Sequence, residues 1–151
     1  CDQYRLLCAS SSYLERHEAP DRPADLVRHN CLGYTGLLDF PQWRLVQPAG
    51  KKVASVAESV RVSGSILSND NEALLHAAIK GVGIIAGSDW HLMPSIHAGE
   101  LVRILPQWTL GEAGGIYLLR PSGQYNTGAM KAFKQWVTEA FAAAPWRPSD
   151  R

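Results

Sequence analysis

The sequence predicts an α/β fold built on an open sheet. Three observations carry that prediction. Short apolar runs of strand length alternate along the chain with segments of helical spacing. Ile84-Ile85-Ala86, rich in β-branched residues, has the profile of a strand buried on both faces of a parallel sheet. The strongest helical segment precedes that run directly, with Leu74, Leu75, Ala78 and Ile79 at helical spacing.

The elements follow in order. Tyr4-Arg5-Leu6-Leu7-Cys8-Ala9 predicts a strand, and Ser10-Ser11-Ser12 offers caps for a short helix over 13–17. Pro23 suits the first turn of a second short helix over 24–29, because its missing amide hydrogen is not needed there. Cys31-Leu32-Gly33-Tyr34 predicts a brief strand. Trp43-Arg44-Leu45-Val46, a Pro48-Ala49-Gly50 turn and a return run over 52–57 predict a β-hairpin. Val60-Arg61-Val62-Ser63 and Ile66-Leu67 predict a further strand interrupted by Gly64.

For the strongest helix, Asn69 is the expected N-cap, Glu72 its capping-box partner, and Gly81 the left-handed stop. Asp89 to Met93 predicts a helical turn that Pro94 ends or restarts. Leu101 to Leu105 predicts a strand closed by Pro106, residues 111–115 a glycine-bearing linker, and Ile116-Tyr117-Leu118-Leu119 another strand. After a Pro121-Ser122-Gly123 turn, Thr127 caps a final helix whose apolar stripe is Met130, Phe133, Val137, Ala140 and Phe141. Pro145 and Pro148 end the ordered part.

At 151 residues the chain has the length of one domain or of two small lobes, and at 46% hydrophobic and 19% charged it can bury a core. That composition excludes an intrinsically disordered chain. Fifteen Lys and Arg against 14 Asp and Glu leave a net charge of +1, with the basic residues scattered. The total does not mark a binder of nucleic acid or of a membrane surface. No run reaches the ~18 apolar residues of a membrane span, and a soluble, intracellular chain is expected. Cys1, Cys8 and Cys31 form no C-x-x-C pair, so reduced thiols are expected.

Motifs that would carry chemistry fail on context. Gly81-Val82-Gly83 precedes a strand and follows a helix, the reverse of the dinucleotide-binding order. No G-x-S-x-G elbow is present, and His29 near Cys31 is adjacent only in sequence. His91 and His97, six apart around Pro94, do not match the spacing of a helical metal pair. What stands out is two helix starts preceded by small polar residues, Ser10-Ser11-Ser12 and Ser68-Asn69-Asp70, where free amides favour a small carboxylate or other anion. In open α/β sheets, ligands lie beyond the carboxyl ends of strands.

Arg5-Leu6-Leu7-Cys8-Ala9-Ser10 with Tyr13-Leu14 resembles the crossover segment of the effector-binding domain of LysR-type transcriptional regulators. The stretch from Pro23 through Cys31 resembles that family's next helix and strand, and Trp43-Arg44-Leu45 its hairpin. Ser68-Asn69-Asp70-Asn71-Glu72-Ala73-Leu74-Leu75 through Ile84 resembles its best-defined helix-to-strand unit. Asp89-Trp90, Ala98-Gly99-Glu100-Leu101-Val102 and Tyr117-Leu118-Leu119-Arg120-Pro121-Ser122 continue the likeness. Ser11 departs from it, standing where the family usually has proline, and Gly87-Ser88 stand where Leu-Pro is common.

The resemblance implies two Rossmann-like lobes similar to type II periplasmic binding proteins, the second complete and the first partial. It places the second lobe at residues 9–108, a remnant of the first at 1–8 and 109–145, and a tail at 146–151. It implies a cytoplasmic, non-enzymatic sensor with no cofactor or metal, one that forms homo-oligomers. Such a sensor meets DNA only through a winged helix-turn-helix domain outside this chain, and has no membrane partner. A small-molecule effector would be held by Ser10, Ser11, Thr35, Ser65, Ser68, Asn69 and the backbone at Gly83, between apolar walls from Ile66 and Ile84. Two rivals share the fold: a periplasmic-type solute receptor, and an α/β enzyme fragment. An upstream helix-turn-helix or signal peptide separates them.

Overall fold

The computed structural model describes residues 2–36, 40–47, 55–111, 114–119 and 127–142. Its strands are β1 (Asp2–Gln3), β2 (Arg5–Ala9), β3 (Cys31–Tyr34), β4 (Gln42–Gln47), β5 (Val56–Arg61), β6 (Leu67–Ser68), β7 (Ile84–Ser88), β8 (Val102–Ile104), β9 (Thr109–Leu110) and β10 (Gly114–Gly115). The α-helices are α1 (Ser11–Leu14), α2 (Asn71–Ile79), α3 (Asp89–His97) and α4 (Gly128–Ala142), with a 3-10 helix over Pro23–Arg28.

A five-stranded sheet in the order β6-β3-β7-β2-β8 forms the centre. Strand β3 runs parallel to β6 and β7, whereas β2 runs antiparallel to β7 and β8. The parallel surroundings expected for Ile84-Ile85-Ala86 therefore exist on one side of β7 only. Burial on both faces holds. Ile84 and Ala86 join Leu7, Ala9 and Ile104 in a cluster with Trp43, Leu45, Val60 and Leu110 of the three-stranded sheet β5-β4-β9. Ile85 joins Leu6, Cys8 and Leu32 against Leu74, Leu75 and Ala78 of α2 and Leu92 and Met93 of α3. The period-two alternation of β2 and β7 thus divides the core into two layers.

The body carrying these two sheets runs from Arg5 to Leu110, because Arg5–Ala9 is an interior strand of the central sheet and Thr109–Leu110 pairs with β4. Beyond it, β1 pairs with β10, Asp2 opposite Gly115, so the Gly114–Gly115 end of the segment expected as a linker forms one side of a two-stranded ladder.

Several local expectations are corrected. The cap of α2 is Asp70, not Asn69: the Asp70 carboxylate accepts from the amides of Glu72 and Ala73 at 2.9 and 3.2 Å. Glu72 is then one residue too early for a capping box. Pro94 neither ends nor restarts its helix, for α3 continues through it to His97. Proline there removes only the donor for the carbonyl of Trp90, a half-exposed residue where solvent can serve it. The helix expected over 24–29 is a 3-10 helix over Pro23–Arg28, with His29 already extended. Ile116 to Leu119 is not a strand, and Tyr117 and Leu119 are exposed.

Other expectations hold. Gly81 ends α2 at φ 76°, and Thr127 Oγ1 accepts from the Met130 amide at 3.3 Å at the start of α4. No residue of α4 is buried; in its apolar stripe Met130, Phe133 and Ala140 are exposed and Val137 and Phe141 half-buried. Cys1, the Pro48-Ala49-Gly50 and Pro121-Ser122-Gly123 turns, Lys52, Pro145, Pro148 and the tail 146–151 lie outside the described residues.

Candidate functional site

The residues singled out in the sequence fall at two opposite ends of the central sheet. Because β2 is antiparallel to β7, the carboxyl end of β2 lies beside the amino ends of β3 and β7. Ser10, Ser11, Ser65, Gly83 and Ile84 gather there. Ser10 is buried and caps α1, accepting from the Tyr13 amide, with its Oγ 3.1 Å from that of Ser12. Ser11 is exposed. Asn30 ties this end together: its Nδ2 donates to Ser65 Oγ at 2.9 Å and to the Val82 carbonyl at 2.7 Å, and its Oδ1 accepts from the Ser65 amide. Gly83 is packed against the Asn30 carbonyl, and Ile84 is fully buried in the core.

Thr35, Ser68 and Asn69 lie at the other end, beyond the carboxyl ends of β3 and β6. The Thr35 amide donates to the Ser68 carbonyl at 3.0 Å, and Tyr34 stands opposite Ser68 in the ladder. Ile66 is half-buried beside α2's layer. The two groups are separated by the length of β3, roughly 10 Å.

A groove of about 230 Å³ opens at this second end. Arg5, Tyr34, Asn71, Ser88, Trp90 and His91 are among its lining residues, and no described carboxylate is. Thr35 lies between two lining residues, Tyr34 and Gly36, while Asn69 precedes the lining residue Asn71. Two helix starts border the groove, α2 after Asp70 and α3 after Ser88. The Ser88 side chain does not cap α3; its Oγ accepts from Gln3 Nε2 of β1. His91 Nε2 meets Glu72 Oε1 at 3.0 Å and links α3 to α2. The guanidinium of Arg5 has no hydrogen-bond partner or carboxylate among the described residues.

Sequence reading missed Arg5 and His91, counting Arg5 among the scattered basic residues and weighing His91 only as a metal ligand, because nothing in composition separates a polar side chain lining a groove from one on an open face. One signal was available: Gly87-Ser88, the departure from Leu-Pro, falls on the groove's own lining.

Nucleophilic and metal chemistry find no support elsewhere. Burial pushes the Cys8 and Cys31 thiols up to about 12, leaving them protonated at neutral pH. Cys31 Sγ points to the Leu26 carbonyl at 3.7 Å, and His29 Nδ1 is 3.1 Å from the Tyr13 hydroxyl, so the two are not a Cys-His pair. Among the described residues no three His, Cys, Asp or Glu side chains gather as a metal site, and no helix is long and apolar enough to cross a membrane.

Comparison with known proteins bears on the family and the fold. The LysR substrate binding domain family matches residues 1–142. The HTH-type transcriptional activator TtdR of Escherichia coli is 38% identical over 106 residues, 69% of this chain and 32% of that protein. The HTH-type transcriptional regulator PtxR of Pseudomonas aeruginosa is 29% identical over 147 residues, 97% of this chain and 45% of that one. The chain therefore spans between a third and a half of these relatives' length. Among solved structures, the regulatory domain of AphB in Vibrio vulnificus superposes with a TM-score of 0.61 at 27% identity, covering 74% of this chain and 52% of that one. The effector domain of AmpR of Pseudomonas aeruginosa does so with a TM-score of 0.61 at 22% identity, covering 93% and 62%, a likeness of fold alone. The α/β architecture is that of the type II periplasmic-binding-protein-like regulatory domains. The chain belongs to the LysR substrate-binding domain family, as the effector-binding domain of a LysR-type transcriptional regulator and not an enzyme.

Proposed function

We propose that this domain senses a small metabolite in the groove beyond the carboxyl ends of β3 and β7. The observation that carries the proposal is the groove itself, a polar hollow lined by Arg5, Ser88 and His91 among others at the end of the sheet where α/β folds take ligands. The residues put forward for contact are Thr35, Ser68 and Asn69 with these three. Ser10, Ser11, Ser65 and Gly83 stand at the far end and are assigned to the framework.

In this account the body from Arg5 to Leu110 is the second lobe, and β1 and β10 are the crossings to the first. The effector lies between the lobes and favours one arrangement of them. That population shift changes how a cytoplasmic homo-oligomer holds DNA through a winged helix-turn-helix domain elsewhere in the longer protein. The test is operator binding by the full-length regulator, measured by fluorescence anisotropy across a metabolite library. At least one compound should change the affinity, and substitution of Ser88 or His91 should abolish that response. A response to no compound would contradict the proposal.

A further inference from the structure

We infer that the metabolite this groove accepts carries a carboxylate, and that Arg5 is the residue that binds it; this rests on the groove being the effector site. Three features point to it together. The lining carries the guanidinium of Arg5 with the imidazole of His91 and the phenol of Tyr34, and no described carboxylate. His91 Nε2 is already engaged with Glu72, which leaves the Arg5 guanidinium without a carboxylate partner among the described residues. A half-buried guanidinium facing a polar pocket offers its planar fork for bidentate binding of an oxyanion, and Ser88 and Asn71 in the same lining supply neutral hydrogen-bonding groups.

The position of Arg5 also gives the bound anion a route to the rest of the regulator. Arg5 opens β2 one residue after β1, the first crossing. Its guanidinium nitrogen lies 3.8 Å from where a Cβ on Gly111 would stand, at the residue that leaves β9 for the second crossing. Gln3 of β1 donates to Ser88 in the groove wall. A carboxylate seated on Arg5 thus sits where both crossings meet the body, and it holds them in the arrangement that keeps the guanidinium against it.

The test uses the full-length regulator and calorimetric titration with acetate, succinate, glutarate and benzoate, each beside its amide, and with inorganic phosphate. At least one acid should bind while its amide does not, and binding should weaken as ionic strength rises. Arg5→Ala should weaken that acid by about ten- to a hundred-fold, with Arg5→Lys falling between because it keeps the charge and loses the fork. Arg28→Ala, which removes an exposed guanidinium far from the groove, should leave affinity unchanged. If Arg5→Ala does not fold, Arg5→Lys and Arg5→Gln carry the comparison. Equal binding of acids and amides, binding of phosphate alone, binding of none of the acids, or wild-type affinity in the Arg5 variants would overturn the inference. Operator binding measured in parallel separates the two levels. A neutral compound that shifts it through the groove keeps the effector site and removes the carboxylate; a regulator indifferent to every compound removes both.

Discussion

The side chain of Asn30 donates to the carbonyl of Val82 at 2.7 Å, and the main-chain carbonyl of Asn30 accepts from the Ile84 amide at 2.8 Å. One residue thereby fixes the entry of β7 beside the entry of β3. Gly83 lies inside this joint, and a Cβ there would stand 2.2 Å from the Asn30 carbonyl oxygen. The neighbour is backbone and cannot swing away, so Gly83→Ala should cost at least about 1–3 kcal/mol. Urea unfolding of the full-length regulator checks this; a midpoint within error of wild type would mean the joint is looser than described.

Capping of α2 gives a second prediction. Asp70→Ala removes the acceptor for two amides of the first turn and should lower stability by about 1 kcal/mol. Asn69→Ala should leave stability nearly unchanged, because Asn69 caps nothing. Reversal of that order in thermal unfolding would restore Asn69 as the cap.

The difference between those two residues marks a limit of what sequence carries. Ser68, Asn69, Asp70 and Asn71 are four consecutive residues that can all cap a helix, and only the backbone decides among them. Helix α2, the Gly81 stop and the apolar strands β2, β3 and β7 were legible because burial and local φ requirements are written in residue type. Strand direction is not written there. With β2 antiparallel to β7, its carboxyl end carries Ser10 to the far side of the sheet from Thr35 and Ser68, and one expected cluster becomes two. For the same reason Arg5, at the amino end of β2, enters the groove. Ile116 to Leu119 has strand composition yet is not a strand, an outcome of tertiary surroundings that composition cannot reveal.

Acid sensitivity gives a third prediction. His29 is buried, and that burial, with the charges of His17 and Arg28 outweighing Asp25, holds its pKa below the usual 6.5. The unfolded chain therefore binds the proton more readily than the folded one. Stability from this group is intact above about pH 6.5 and is lost as pH falls from there toward the lowered folded value. The melting temperature should drop between about pH 7 and pH 5, and His29→Gln should shrink that drop. An identical drop in the variant would place the acid response on other groups.

The central claim, that the effector is held at the carboxyl ends of β3 and β7, is tested most directly by hydrogen–deuterium exchange. The full-length regulator would be compared with and without the compound that shifts its operator binding. The account predicts new protection in peptides covering Tyr34 to Gly36, Asn69 to Glu72 and Ala86 to His91, with no change at Ser10 to Ser12 or Val82 and Gly83. Protection confined to the Ser10 and Gly83 end, or absent from both, would contradict it.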